Sequence, residues 1–430
     1  MFAALIPALL LGYPVAFTLG AIAILFGSLT VGIEIFSLLP YRIFGIMTNF
    51  TLLAVPLFIF MGIILDKSGV AEDLLESMAK LFGKRPGGLA TAVVLVGALL
   101  AASTGVVGAT VVTLGVIALP TMLKHNYDAP LACGTIAASG TLGQVIPPSI
   151  VAILLADIIG VPVGRMFMAT LIPGIFLVGL YILYISFVGL RNPHRAPPVE
   201  GISNIDLTAL TKTILPPIAL IFSVLGSIFF GVASPTEAAA VGATGALLIA
   251  VTRNRLQWIV LSRAAMQATK LTSMVFMILI GATAFGLVFK ALGGDNLVAT
   301  FFSDIGVSAT GFILISMAVI FVLGFFLDFI EICFIVVPIL QPIAQQMGVD
   351  LLWFAILISM NLQTSFLTPP FGFSLFYLKA VAPKEIRAYQ IYRGVMPFIL
   401  IQLVLIGLIV AFPKSVIWLP DLMDRYNGLL

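Results

Sequence analysis

The sequence predicts an all-α polytopic membrane protein with inverted repeats, two re-entrant hairpins and two broken helices. Three observations predict it. The first is composition: of 430 residues, 61% are apolar and 9% charged, against about 25% charged in an ordinary soluble domain. That charge cannot cover a soluble surface of this size, so the bilayer is the fitting solvent. The second is a series of apolar runs of spanning length. The third is a pair of Pro-Pro dipeptides, each inside an apolar run and each preceded by an apolar stretch broken at its middle.

Composition also excludes several function classes. The net charge is +3, with no basic run suited to nucleic acid. Cys133 and Cys333 both lie in apolar segments and read as small hydrophobes. His125 and His194 fall in expected loops, which removes most metal-enzyme and catalytic-triad chemistry. No cofactor is expected, and no enzymatic activity.

The first element is the apolar run at 5–31. It lacks a basic start and is longer than a signal-peptide core, so it reads as a first span. Further spans are expected at 49–66, 167–190, 213–231, 236–252, 264–292 and 394–412. Polar connectors fall at 67–87, 191–212, 253–263 and 380–393, and Pro193, Pro197 and Pro198 make the second the clearest loop.

Four stretches do not fit simple spans. Residues 88–122 are broken by Ser103-Thr104-Gly105-Val106-Val107-Gly108. Each arm is then about 15 residues and reaches about 23 Å, short of the ~30 Å hydrocarbon core. A re-entrant hairpin fits better than two spans. Residues 309–346 look alike, with their break near Gly324-Phe325-Phe326-Leu327-Asp328. Residues 129–160 carry Gly140-Thr141-Leu142-Gly143-Gln144-Val145-Ile146-Pro147-Pro148-Ser149 at their centre. Residues 351–379 carry Gln363-Thr364-Ser365-Phe366-Leu367-Thr368-Pro369-Pro370-Phe371-Gly372. Consecutive prolines remove two donors and clash with the preceding turn, so each helix must break there. Pro120 to Pro147 is 27 residues and Pro338 to Pro369 is 31, so hairpin and broken helix recur as a unit.

Charge gives the orientation. If each hairpin returns to its starting side, all but five of the 21 Lys and Arg fall on one face. The five are Arg42, Arg165, Lys290, Lys414 and Arg425. The richer face is expected to be cytoplasmic, with the N-terminus inside and the C-terminus outside. The hairpins then enter from opposite sides, and the inversion of the repeats follows from the charge count.

A break in a buried helix frees carbonyls on one side and amides on the other, which suit a cation and an anion respectively. Na⁺ is a hard cation and takes oxygen ligands. At the first break the candidate oxygens are the carbonyls of Gly143, Ile146 and Pro148, beside the Thr141 hydroxyl. At the second they are the Phe371 carbonyl and the hydroxyls of Thr364, Ser365 and Thr368. The hairpin tips add Ser103 and Thr104 to the first site and the Gly324 carbonyl to the second. The competing reading is that such hydroxyls bond the preceding turn and the prolines merely kink. The coincidence of two Pro-Pro breaks with two hairpins favours sites.

Asp328, inside an apolar run, is a candidate site or gating residue. Asp157 and Glu331 invite the same reading, though Asp157 also fits the membrane interface and Glu331 a snorkelling side chain. Glu237 instead matches a helix start, with Ser234 as cap and Pro235 first. The small residues at 238–246 suit close helix packing. There is no embedded His for an intramembrane Ser–His pair and no phosphate-binding loop, so an ion gradient is the expected energy source.

With these residues in view, the chain resembles the large membrane subunit of tripartite ATP-independent periplasmic (TRAP) transporters, the DctM-like family. The resemblance covers nearly the whole chain. It is carried by Gly140–Ser149, by Thr368-Pro369-Pro370-Phe371-Gly372 and by Ser234-Pro235-Thr236-Glu237-Ala238-Ala239-Ala240. Leu171-Ile172-Pro173-Gly174 and Pro338-Ile339-Leu340 match more weakly. The resemblance implies an elevator-type carrier of the bacterial inner membrane, like the ion transporter superfamily. Such a carrier imports small organic anions, commonly carboxylates, with Na⁺. A periplasmic substrate-binding protein and a small four-helix membrane subunit are the implied partners. Family sodium ligands match Ser103, Gly143, Ile146 and Pro148 for one ion, and Gly324, Ser365, Thr368 and Phe371 for the other. The first tip departs from the Ser-Gly-Ser common in the family.

The implied division is N-terminal scaffold helices 1–66, a first transport repeat 67–166, scaffold and arm helices 167–263, a second transport repeat 264–393, and a C-terminal scaffold helix and tail 394–430. An anionic substrate is expected between the hairpin tips, facing Thr141, Ser149, Asp328 and Gly372. The alternative is a stand-alone ion-coupled carrier or antiporter of similar architecture.

Overall fold

The computed structural model describes residues 1–199 and 207–426, and no strand occurs among them. The first apolar run is not one rod. It divides into α1 (Phe2–Leu10) and α2 (Val15–Phe26). Gly12 takes a φ of 81°, and Pro14 has no N–H to continue the ladder. The expected single span over 5–31 is corrected accordingly. A π turn at Gly27–Val31 and a 3-10 segment at Ile33–Leu38 lead into α3 (Leu39–Met47).

Next come α4 (Ala54–Lys67) and α5 (Val70–Phe82), which meet at 60°. The bend falls at Gly69, whose φ is 71°. The connector expected over 67–87 therefore contains a helix. It is amphipathic: Leu74, Leu75 and Met78 are buried, while Glu72, Asp73 and Glu76 are exposed. Its acids gave the segment the polarity of a loop.

The first hairpin is α6 (Gly88–Thr104) and α7 (Val107–Lys124), turning at Gly105 with φ 60°. Its arms, 17 and 18 residues, exceed the expected length and reach roughly 26 Å. The first broken helix is α8 (Ala129–Thr141), a 3-10 turn at Leu142–Gln144, and α9 (Ile150–Ile159). The long helices α10 (Val163–Arg191), α11 (Leu207–Phe229), α12 (Pro235–Thr252) and α13 (Trp258–Ala291) follow, then the short α14 (Gly294–Asp304). Ser234 and Glu237 form the expected capping box at the start of α12.

The second hairpin is α15 (Ala309–Leu323) with an outgoing arm that is itself bent. That arm consists of α16 (Phe329–Ile335) and α17 (Val337–Gln346), at 50° to each other. Pro338 lacks an N–H and its ring crowds the carbonyl four residues back, which accounts for the bend. Then come the broken helix, α18 (Leu351–Leu367) and α19 (Phe373–Val381), the long α20 (Ala388–Ala411), and α21 (Lys414–Tyr426).

By length and composition, six helices can cross a membrane, or eight if each bent pair is one span, among the described residues. The innermost elements are α8 and α18. Residues 131–141 and 354–367 are buried without interruption. Glycine lets backbones close around them. A Cβ at Gly134 would lie 2.0 Å from the Gly394 carbonyl, so α8 and α20 cross at near contact. The small residues of α12 serve the packing expected of them, with Gly242 against Met61 of α4.

The repeats interlock. The outgoing arm of the first hairpin, α7, packs along α19 of the second repeat, and α16 and α17 pack along α9 of the first.

Candidate ion and substrate site

The Pro-Pro dipeptides at 147–148 and 369–370 rupture their helices, and both peptide bonds are cis, whereas Pro216-Pro217 lies within the continuous α11. At the first, α8 ends at Thr141, and the amides of Val145 and Ile146 both turn back to the Leu142 carbonyl, at 3.0 and 2.8 Å. Pro147 and Pro148 have no N–H to give. Consequently no N–H or O–H among the described residues reaches the carbonyls of Gly143, Ile146 or Pro148. All three residues are buried. Orphaned buried carbonyls are rare, because each costs roughly 1–3 kcal/mol. They supply the oxygen set a hard cation needs.

The first hairpin tip lies against this break. A Cβ on Gly105 would stand 3.5 Å from the Pro148 carbonyl and 3.4 Å from the Ile150 amide nitrogen. Gly143 sits beside Ala101 of α6. Ser103 Oγ donates to the Leu100 carbonyl at 2.9 Å. Thr104 Oγ1 pairs with Thr110 Oγ1 at 2.9 Å, and Thr110 donates to the Val106 carbonyl at 3.2 Å. Thr104 thus clasps the two hairpin arms together, whereas Ser103 keeps its lone pairs free. A hydroxyl that donates its proton backward can still ligate a cation, so backbone bonding and ion binding are compatible.

At the second break the tip and helix are closer still. A Cβ at Gly324 would lie 2.2 Å from Ser365 Oγ, so no side chain fits there. Ser365 Oγ donates to the Leu362 carbonyl at 2.9 Å, Thr368 Oγ1 to Thr364 at 2.7 Å, and Thr364 Oγ1 to Met360 at 2.9 Å. Among the described residues, no donor reaches the Gly324 or Phe371 carbonyl. Thr364 precedes Ser365 by one position, about 100° around the helix, and its hydroxyl bonds back to Met360. Gly324, Ser365, Thr368 and Phe371 thus share one break and one tip.

The expected substrate-facing residues are less exposed than their role suggests. Thr141 is fully buried and accepts a bond from Gln363 Nε2 at 3.4 Å. Ser149 caps α9, donating to the Gln144 carbonyl at 2.8 Å while accepting from the Ala152 amide at 3.4 Å. Gly372 begins α19, its own amide bonded to the Thr368 carbonyl at 3.0 Å. Asp328 caps α16: its Oδ1 accepts from the Phe329 amide at 2.7 Å, and Glu331 returns a carboxylate to the Asp328 amide at 3.0 Å. Glu331 is therefore buried at a cap, not snorkelling.

Sequence reasoning missed several residues here. Gly174 backs the first break, where a Cβ would lie 3.0 Å from Ile146, and Gly62 of α4 backs the first tip, where a Cβ would lie 2.5 Å from Thr104 Cα. Gln144 and Gln363 are also new to the site. Thr141 and Gln363 are 222 positions apart, as are Pro147 and Pro369. A residue bonded to its own repeat mate lies on the axis that relates the repeats. Ser359 of α18 adds a second tie, donating to the Gln144 carbonyl at 3.1 Å. That spacing was readable from the two Pro-Pro positions.

The Tripartite ATP-independent periplasmic transporter, DctM component, family matches residues 2–415. The chain belongs to that family. It is 31% identical over 384 residues to the C4-dicarboxylate TRAP transporter large permease protein DctM of Pseudomonas aeruginosa, covering 89% of each chain. It is 27% identical to the sialic acid TRAP transporter large permease protein SiaM of Vibrio cholerae, covering 97% of this chain and 96% of that one. Among solved structures, the YdaH transporter of Alcanivorax borkumensis shares the fold with a TM-score of 0.66 at 12% identity, covering 96% of this chain and 99% of that one. This TRAP permease is therefore a multi-pass membrane transport protein with the fold described above, and not an enzyme.

Proposed function

We propose that this TRAP permease imports a small organic acid, drives it with Na⁺ and receives it from a periplasmic substrate-binding protein. The observation that carries the reading is the pair of Pro-Pro breaks, each with unpartnered carbonyls beside a hairpin tip. Sodium occupies the first through Ser103 and the carbonyls of Gly143, Ile146 and Pro148. It occupies the second through Gly324, Ser365, Thr368 and Phe371. Binding there holds each tip against its broken helix and completes the ground between the tips. The first-turn amides of α9 and α19, with their positive helix ends, suit a carboxylate in that position. Relatives named for C4-dicarboxylates and sialic acid support an organic acid as substrate.

The interlocked repeats, with each hairpin packed on the other repeat's broken helix, move as one body in an elevator stroke. The remaining long helices serve as the scaffold, braced by a small membrane subunit. The basic-rich face is cytoplasmic, which sets the N-terminus inside and the C-terminus in the periplasm of a bacterial inner membrane.

The test is uptake into proteoliposomes with both partner proteins present. Uptake should require an inward sodium gradient, and persistence without sodium contradicts the coupling. Thr368→Val should raise the sodium concentration for half-maximal uptake about tenfold, the effect of losing one ligand. An unaltered titration would remove Thr368 from the site.

A further inference from the structure

Away from both breaks, a cavity of about 380 Å³ opens where α3, α9, α13 and the outgoing arm of the second hairpin converge. Its wall includes Arg42, Asn49, Asp157, Thr283, Lys290 and Pro338. The volume lies within the range of small-molecule sites, about 300–1,000 Å³. The cavity belongs to the face poor in basic residues, which has only Arg42, Arg165, Lys290, Lys414 and Arg425. Arg165 is committed to Asp421 and Asp424, at 2.8 and 3.0 Å. Lys414 and Arg425 both sit on one surface helix, α21. Arg42 and Lys290 come from distant parts of the chain, α3 and the end of α13, yet line the same cavity. Neither joins an ion pair among the described residues.

The acid on the wall is held in place. Asn49 Nδ2 donates to Asp157 Oδ1 at 2.7 Å, while Asn49 Oδ1 accepts from the Thr51 amide at 2.9 Å. That second bond fixes which way the amide points. The cavity therefore presents two cationic donors and one oriented carboxylate, a net positive wall with one fixed acceptor. Two like charges gathered on one wall attract an anion, and a carboxylate accepts charge-assisted bonds from both.

We infer that this cavity is a capture site for the incoming organic acid, and that it selects a hydroxylated monocarboxylate. The substrate carboxylate binds Arg42 and Lys290, and a substrate hydroxyl donates to Asp157. A plain dicarboxylate fits less well, because its second charge meets the Asp157 carboxylate. The wall joins α3 and α13 to α9 and the bend of the second hairpin, so a ligand here touches both repeats before it reaches the breaks. The inference rests on the organic-acid reading above.

The test uses the full chain in lipid nanodiscs carrying Thr283→Cys. Cys133 and Cys333 are both buried, so background labelling is low. Labelling by an anionic methanethiosulfonate should outpace labelling by a cationic one. Replacing Arg42 and Lys290 with Gln should cut that preference about tenfold. Both side chains are exposed, so the loss costs little folding stability. Gluconate should slow the labelling and succinate should not. Asp157→Asn should let succinate protect as gluconate does. An equal rate for both reagents, or a preference that survives the double replacement, overturns the site. Equal protection by succinate in the unaltered cavity overturns the monocarboxylate selection, and protection by neither overturns capture. Failure of organic-acid uptake with the charge preference intact would instead overturn the functional reading alone.

Discussion

The two breaks share one rupture and differ in their surroundings. Around the first, every residue from 139 to 150 is buried. Around the second, Thr368 and Pro369 are half-buried, Pro370 is exposed, and Phe371 is 45% exposed. The tips differ likewise: Ser103 is 4% and Phe326 43% exposed. The cause is what stands behind each tip. Two glycines, Gly62 and Gly174, let α4 and α10 close onto the first tip and break. At the second, Phe326 and Phe371 rest on each other at 5.5 Å. Equivalent prolines thus rupture both helices but leave different carbonyls free: at the second break those of Ser365 and Thr368 accept from the Thr368 and Gly372 amides, at 3.1 and 3.0 Å, and that of Pro370 accepts from the Tyr392 hydroxyl at 3.5 Å.

The largest effect is expected where α4 walls the first tip. In Gly62→Leu the new side chain would drive into the Thr104 backbone, which cannot rotate away. Overpacking of this kind costs about 1–3 kcal/mol or more, so proteoliposome uptake should fall up to about a hundredfold. Gly179→Leu serves as the control, since nothing lies within 4 Å of its Cβ position. Normal uptake by Gly62→Leu would mean that α4 does not wall the first tip.

A milder test reads exposure directly. Cysteine at 368 should react with a membrane-impermeant thiol reagent in the folded protein, and cysteine at 146 should react only after unfolding. Equal reactivity would remove the contrast between the breaks.

How much of this was legible in the sequence depended on how local the cause was. The Pro-Pro pairs at 147–148 and 369–370 each stand beside Thr and Gly and follow a hairpin, so both breaks were readable, as were the hairpins before them and the cap at Ser234; Pro216-Pro217, without that setting, lies inside the unbroken α11. The break at Gly12 to Pro14 was not, because one glycine and one proline in a long apolar run look like a tolerated kink. The helix α5 hid behind its charges, and the bend at Pro338 behind an expected straight arm. Asp328 shows a different limit. Asp328-Phe329-Ile330-Glu331 has the spacing of a capping box, yet its depth in an apolar run pointed only to a site or gating role. The glycines that wall the first tip were invisible for a stronger reason: their role lies wholly in what approaches them.

The smallest effect is expected at the axis where the breaks meet. Gln144 has both side-chain polar atoms buried without a partner, and Gln363 Oε1 is in the same position. Gln363 Nε2 meets Thr141 only at 3.4 Å. Replacing Gln363 with Leu removes one long bond and one unsatisfied oxygen together, so the two costs oppose each other. The expected change in stability is within about 1 kcal/mol, a shift of a few degrees at most in thermal unfolding. Transport should respond differently. The bond links α8, which leads into the more buried break, to α18, which leads into the less buried one. Without it, sodium at one break should influence the other less, and the uptake curve should become less steep in sodium while its maximum is kept. An unchanged steepness would assign the pair to packing alone, and a large loss of stability would show that the amide is paired in the membrane.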